Sequence, residues 1–403
     1  MMKGLQTKKL SEVCEKITDG THQTPTYFDD GVLFLSSRNV TSGTIDWEKV
    51  KYIDAKQHGE MQRRVSPRLN DILPAKNGTT GVAAMVDRDV PFDIYVSLAL
   101  RRPLAAVRPT FLLHFINSPL AKEQFTKRLK GIGVPNLHLD EIREVEMPVP
   151  PLTEQQRIVG LLDEAFEGIA TAKANAEKNL QNARALFESR LQSVFTQRGP
   201  GWVETTLEKV LATQPQNGWS PPAANHSASG TPVLTLSSVT GFKFRPDKVK
   251  FTSASTDSKK KYWVKNGDFL ITRSNTPELV GHVAIASGIE KPTIYPDLIM
   301  RMNPIPERAM TEFLYYHLRT PALRTEIMGR AQGANPTMKK ISNGAVKTLP
   351  IAVPPIAPQQ VIVETLNNLT EETHRLARLY ERKLAALEAL KKSLLHKAFT
   401  GQL

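Results

Sequence analysis

Two stretches of the chain carry the same hydrophobic schedule. From 153 to 198, apolar or small residues recur at Ile158, Leu162, Ala165, Ile169, Ala172, Ala176, Leu180, Ala183, Phe187, Leu191 and Val194. The steps are mostly four and three, the spacing of a helix with one narrow apolar seam. From 357 to 403 the schedule returns at Ile362, Leu366, Leu369, Leu376, Tyr380, Leu384, Leu387, Leu394 and Ala398. A helix of roughly 40 residues is about 60 Å long and cannot shelter such a seam alone. The pattern predicts that the two helices pair with each other.

Both helices begin in the same way. Met147-Pro148-Val149-Pro150-Pro151-Leu152-Thr153-Glu154-Gln155-Gln156 returns 204 residues later as Ile351-Ala352-Val353-Pro354-Pro355-Ile356-Ala357-Pro358-Gln359-Gln360. Thr153 is a suitable N-cap and Gln156 completes a capping box. In the second copy Ala357 replaces the threonine, and Pro358 is expected at the first helical position, where its missing N–H costs little.

The stretches before the helices alternate short apolar runs with turn residues, the pattern of mixed α/β modules. Strands are expected at Val32–Leu35 and Asp71–Leu73, helices at Thr110–Asn117 and near Leu120–Leu129, and a loop at Gly131–Asn136. These anchors also repeat. Asn70-Asp71-Ile72-Leu73 returns as Gly267-Asp268-Phe269-Leu270, and Ser97-Leu98-Ala99-Leu100-Arg101 as Asp297-Leu298-Ile299-Met300-Arg301. The reading is an α+β chain with an internal repeat. Its segments are a module at 1–152, a long helix at 153–198, a second module at 199–356 and a second long helix at 357–403.

Charge adds a partner class. The chain has a formal net charge of +13. Most of it sits in the second module, where residues 199–352 hold 19 basic and 11 acidic side chains. Such an excess favours a polyanion such as nucleic acid. Cys14 is the only cysteine, so an internal disulfide and a cysteine-based zinc site are excluded. No apolar run is long enough to span a membrane, and no apolar core follows the charged start as in a secretory signal. A cytoplasmic setting is expected.

Catalytic signatures are missing. No Asn-Pro-Pro-Tyr/Phe or Asp-Pro-Pro-Tyr sequence occurs, so the amino-methyltransferase loop is absent. There is no Gly-Lys dipeptide for a phosphate-binding loop, and no histidine pair with a glutamate for a zinc hydrolase. Asp71 with Lys76, and Asp268 with Arg273, faintly resemble a nuclease set but read better as turn carboxylates and surface bases. No catalytic residue and no metal ligand is expected.

Two divergent modules, each followed by a helix that starts Pro-Pro-x-x-x-Gln-Gln, resemble the specificity subunit of a type I restriction-modification enzyme. Thr18-Asp19-Gly20-Thr21-His22-Gln23-Thr24-Pro25 also resembles a loop common in first modules of that family. The second module departs there, with Gln216-Asn217-Gly218-Trp219-Ser220-Pro221-Pro222. The resemblance implies two target recognition domains, each reading half of a bipartite double-stranded DNA sequence. The helices would form an antiparallel coiled coil with pseudo-two-fold symmetry, which sets the spacing. Two methyltransferase subunits would dock on it, and two motor-nuclease restriction subunits would complete the complex. S-adenosylmethionine, ATP and Mg2+ would serve those partners, with no cofactor on this chain.

Candidate DNA contacts are polar and basic residues near loops, since Arg and Asn can pair bidentately with guanine and adenine. In the first module they are Thr21, His22, Arg38, Asn39, Lys76, Asn77, Arg101, Asn136 and His138. In the second they are Lys259, Lys260, Lys261, Arg273, Asn275, Arg301, Lys339 and Lys340. The repeated Arg101 and Arg301 suit phosphate contact. Gln155, Gln156, Gln359 and Gln360 are candidates for partner docking or for helix capping. A competing reading is a non-catalytic coiled-coil scaffold whose modules bind proteins.

Overall fold

The computed structural model describes residues 6–40, 43–77, 80–129, 136–335 and 337–403. The expected loop at Gly131–Pro135 lies outside them. The chain divides into two compact units, one of residues 1–178 with 380–403 and one of 179–379. Each unit therefore holds one module, the first part of the helix that follows it, and the last part of the other helix. The division cuts through both helices instead of falling at their ends.

The long helices run Leu152–Thr196 and Ile356–Thr400. Every seam position named from the sequence is buried or half-buried. In the first unit the helix segments are antiparallel. Arg157 donates to the Leu403 carbonyl at 3.0 Å, Lys173 pairs with Glu388 at 3.0 Å, and Lys391 lies over the Phe166 ring. Ile158 and Leu162 join Leu395, Ala398 and Phe399 in one core with Phe111 and Phe115 of the module. In the second unit Phe187, Leu191 and Phe195 join Val363 and Leu366 in a core with Phe313 and Leu314.

Each helix begins one residue earlier than the sequence suggested, and by a different device. Thr153 lies inside the first helix and is exposed. The Pro151 carbonyl accepts from Glu154 N and Gln155 N at 2.9 and 3.0 Å. Pro358 sits within the first turn of the second helix, where its missing N–H is still without consequence.

The modules share one topology. In the first, an antiparallel sheet has the order Cys14–Asp19, Ala99–Pro103, Ile72–Pro74, Ala83–Met85. A second sheet sets Val32–Leu35 antiparallel to Lys51–Ile53 and parallel to Phe92–Ile94. Helices Pro109–Asn117 and Pro119–Arg128 cover the first sheet. In the second module the same order appears as Leu211–Asn217, Ile299–Pro304, Phe269–Thr272, Val283–Ile285. Its other sheet keeps the same centre, with Thr231–Leu234 antiparallel to Val249–Thr252 and parallel to Thr293–Ile294.

The backbone crossing after the first strand is the same in both modules. A Cβ on Gly20 would come within 1.9 Å of the Ile94 carbonyl oxygen, and one on Gly218 within 1.9 Å of that of Tyr295. The next amide is held alike, Thr21 N by Ile94 O at 3.0 Å and Trp219 N by Tyr295 O at 2.9 Å. The loops that look unrelated in sequence thus start from one glycine-dependent crossing.

This anchor corrects the alignment of the two arginines. Thr18 pairs with Leu100 and Gln216 with Arg301, so Arg301 matches Leu100 and Arg101 matches Met302. The neighbours agree, because Asp71 accepts from Arg102 and Asp268 from Asn303. A one-residue slip puts a strand residue on the opposite face. Arg101 and Arg301 therefore serve different surroundings.

Candidate nucleic-acid interface

In the first module the loop residues converge on Asp19. Its carboxylate accepts from Lys76 Nζ at 2.6 Å and Arg64 Nη2 at 2.7 Å, with His22 Nε2 at 3.2 Å. Asp19 and Lys76 are buried, whereas the His22 side chain is 59% exposed. Burial alone would raise the Asp19 carboxyl, but the Lys76 and Arg64 hydrogen bonds overcome it and hold the group below its usual range. Ser97 ties in the neighbouring segments, its Oγ accepting from Ser37 N at 3.0 Å and its carbonyl from Lys76 N at 2.9 Å. Ser37 donates to Asn77 Oδ1 at 3.4 Å, and Leu137 N donates to Lys76 O. One patch thus gathers Thr21, His22, Arg38, Asn77, Asn136 and His138 around a buried ion pair. His22, Arg38 and His138 are exposed, and Thr21, Asn77 and Asn136 are half-buried.

Three first-module candidates do not face solvent. Lys76 is buried beneath the patch as the partner of Asp19. Asn39 is buried, with all four hydrogen-bonding positions engaged. Its Oδ1 accepts from Ser36 N and Oγ, and its Nδ2 donates to the carbonyls of Asp46 and Lys49. Arg101 is 0% exposed, in the apolar core with Phe125 and Cys14. None of its three guanidinium nitrogens has a partner among the described residues, and burial pushes its pKa down to about 10. None of these three can reach a phosphate or a base from where it lies.

In the second module two groups of candidates flank the Gly218 crossing. Ser274 and Asn275 pair with Lys340 and Lys339 as a short antiparallel ladder. Arg273, with a 30% exposed side chain, stands 4.0 Å from Asp297, whose carboxylate accepts from Ser220. Asn275 is braced by Thr240 at 3.2 Å, and Lys339 by the Gly333 carbonyl at 2.7 Å. On the other side Lys259, Lys260 and Lys261 are exposed, just before Tyr262 and Trp263. Arg301 is engaged in holding that segment. It donates to Trp263 O at 2.8 Å, Lys261 O at 3.0 Å and Asp268 Oδ2 at 3.3 Å. It is a buttress of the lysine cluster and not a free phosphate ligand.

The glutamines split within each pair. Gln155 is 0% exposed. Its Oε1 accepts from Arg108 N at 2.9 Å, and its Nε2 donates to Ala106 O and Pro150 O, both at 2.9 Å. Gln359 repeats the set with Met310 N at 2.8 Å, Arg308 O at 2.9 Å and Pro354 O at 2.8 Å. Both are therefore internal locks between module and helix and cannot touch a partner. Gln156 and Gln360 are exposed.

The faint nuclease sets do not assemble. Asp71 is engaged by Arg102 at 2.7 Å, Asp268 by Arg301 and Asn303, and Lys76 by Asp19. Among the described residues no group of three His, Cys, Asp or Glu is placed to hold a metal. No described helix is long and apolar enough to cross a membrane. Arg64 escaped the sequence reading because it lies 45 residues from its carboxylate, and Trp219 because its loop shows no textual match to the first.

The family model described as "Type I restriction modification DNA specificity domain" matches residues 2–181 and again 200–383. The chain is 23% identical over 390 residues to the EcoKI specificity subunit of Escherichia coli K12, covering 93% of this chain and 83% of that protein. It is 22% identical to the StySPI specificity subunit of Salmonella potsdam, with the same coverages. Its fold matches the crystal structure of the HsdS subunit from Thermoanaerobacter tengcongensis over 100% of this chain and 98% of that one, at a TM-score of 0.62 and 21% identity. A chain solved in work on complex assembly and conformational transition of the type I R-M system gives a TM-score of 0.77 at 20% identity, covering 100% and 99%. The chain belongs to the family of type I restriction-modification specificity subunits. It is a non-catalytic recognition subunit with two DNA target recognition domains.

Proposed function

We propose that each module reads one half of a bipartite double-stranded DNA target. The observation that carries this is a shared frame with different residues set on it. Both modules cross at Gly20 or Gly218, yet His22 and the Asp19–Lys76 pair of the first stand where the second has Ser220, Asn217 and Arg273. A common backbone with divergent side chains at and just beneath the surface is what two readers of unlike sequences need. The long helices set the spacing and offer their outer faces, including Gln156 and Gln360, to two methyltransferase subunits. Two restriction subunits complete the complex in the cytoplasm. S-adenosylmethionine, ATP and Mg2+ serve these partners, and this chain binds no cofactor.

The test is methylome sequencing of a host with and without the gene, joined to duplex binding by the purified complex with its methyltransferase subunits. A bipartite methylated motif that vanishes with the gene is expected. A complex that binds all duplexes alike would favour a protein-binding scaffold. Spacing has its own test. Inserting four residues into both helices at matched positions adds ~6 Å and lengthens the unread gap by about one or two base pairs. An unchanged gap would remove the helices from that role.

A further inference from the structure

Trp219 is held more firmly than its half-exposed position requires. The amides of Gly218 and Trp219 donate to Ile299 O at 3.2 Å and Tyr295 O at 2.9 Å. The half-exposed indole stacks on Tyr262 with ring centres 5.2 Å apart and planes 29° apart. Tyr262 is itself fixed, its hydroxyl accepting from Asp257 N at 2.7 Å and its carbonyl from Tyr295 N at 3.1 Å. Trp263 follows, 5.7 Å from Tyr262, with its Nε1 donating to Asp257 O at 2.9 Å. The Nε1 of Trp219, by contrast, has no hydrogen-bond partner among the described residues.

The loop does not need an aromatic ring to fold. The first module makes the same crossing with Thr21 in that place. The segment on which Trp219 stacks suits a polyanion carrying flat rings. Lys259, Lys260 and Lys261 are exposed beside Tyr262. Lys260, Lys261, Lys265 and Arg301 line an open cleft of about 760 Å³ with Trp263. Beneath the loop, Asn217 and Arg273 replace the Asp19–Lys76 pair, which removes one negative charge. Buried Asn217 Oδ1 and Arg273 Nε have no partner among the described residues.

We propose that Trp219 is a base-reading residue of the second module. Resting on the DNA-reading role above, it presses its free edge against bases of that half-site, with Tyr262 behind it and the lysines gripping the flanking phosphates. A rigid aromatic wedge reads stacking and step flexibility as well as hydrogen-bond pattern. The first module, with a threonine here and charged side chains around it, reads by polar contact. The two half-sites are thus recognised by different physics.

The experiment uses the full complex with its methyltransferase subunits and the duplex identified by methylome mapping. Trp219→Thr installs the residue the first module tolerates at this crossing, and Trp219→Phe keeps an aromatic ring. Trp219→Thr should weaken cognate binding about tenfold or more, within the range of base–aromatic contacts. Binding to an unrelated duplex should hold, and relaxed methylation should be confined to one half-site. Trp219→Phe should retain most of the affinity. The unfolding midpoint of each variant, matched to the parent, separates lost contact from lost fold. Cognate binding within twofold of the parent with an unchanged methylation map overturns the proposal. So does equal weakening on cognate and unrelated duplexes, the mark of a structural or phosphate-only role. A parent complex without any sequence preference would instead overturn the DNA-reading role itself.

Discussion

Replacing Gln155 by alanine should unlatch the first module from its helix. The side chain is fully buried and serves three backbone groups, the Arg108 N–H and the carbonyls of Ala106 and Pro150. Alanine leaves all three without that partner and opens a small cavity. A buried polar group left unpaired costs about 1–3 kcal/mol, with the N–H the hardest to satisfy otherwise. Carbonyls keep a second lone pair, and a water can enter part of the space, so the three costs do not simply add. A loss of about 3–5 kcal/mol for the first unit follows. The control is Gln156→Ala, whose side chain is exposed and whose loss should cost less than about 0.5 kcal/mol. The units need not unfold together, so a local probe is required. Hydrogen exchange at the Arg108 amide supplies it, with Trp47 fluorescence in urea as the unit-wide readout, since the other three tryptophans lie in the second unit. The latch argument fails if Gln155→Ala shifts the urea transition no more than Gln156→Ala, or leaves the Arg108 amide protected.

Two further substitutions test the interior. Arg101→Met should stabilise the first unit by about 1–4 kcal/mol, because it removes a buried guanidinium that has no hydrogen-bond partner among the described residues and installs the residue the second module has there, Met302; a lower urea midpoint would show that the charge has a stabilising role. His317→Phe copies Phe115 of the first module, and His317 already stacks on Phe195 at 4.5 Å. Burial, with the Arg198 charge, holds its pKa at about 3, against about 6.5 in the unfolded chain. Between those values the unfolded state binds a proton that the folded state refuses. Its stability is therefore present above pH ~6.5 and falls as pH drops toward 3. Urea midpoints at pH 7 and pH 5 should lie closer together in His317→Phe, with a residual slope from His282, held at about 4 by burial and the Arg324 charge; an unchanged difference would refute this.

The helices were legible because periodicity is a local signal. Each seam position from Ile158 to Ala398 proved sheltered, since a spacing of three and four fixes a face whatever the distant chain does. The interface was legible in outline, as its loops carry polar residues near glycines. It failed where the decisive contact is remote or the register is off by one. Nothing local marks Lys76 as the partner of Asp19, 57 residues away. A glutamine at a helix start reads as solvated, and it is the proline turn together with the remote Ala106–Arg108 segment that buries Gln155. Arg101 and Arg301 were equated because similar words precede them, yet the connecting segments differ by one residue in length. In a strand that single residue exchanges core for surface.

The division between what the modules share and what they do not is itself informative. The shared groups are buried and bond to backbone: the glycine crossings, the glutamine latches, and Asp71 and Asp268 beneath the central sheets. Changing any of them leaves an unpaired or clashing main chain, so both modules are bound to keep them. The differing residues lie at or just beneath the outer surface of that frame. Tyr27, Phe34 and Tyr95 crowd one surface of the first module, whereas His226, Val233 and Pro296 at the matching backbone places leave a cavity of about 390 Å³ in the second. Thr21 corresponds to Trp219 in the repeat, His22 to Ser220, and Arg38 to Ser237. These positions can change without opening the core, because the backbone groups they serve, such as Gln23 N at Thr21 and Asp297 N at Ser220, lie in exposed loops. A duplicated frame with free outer positions lets two readers drift apart while each still folds, which is the physical condition for a target whose halves differ.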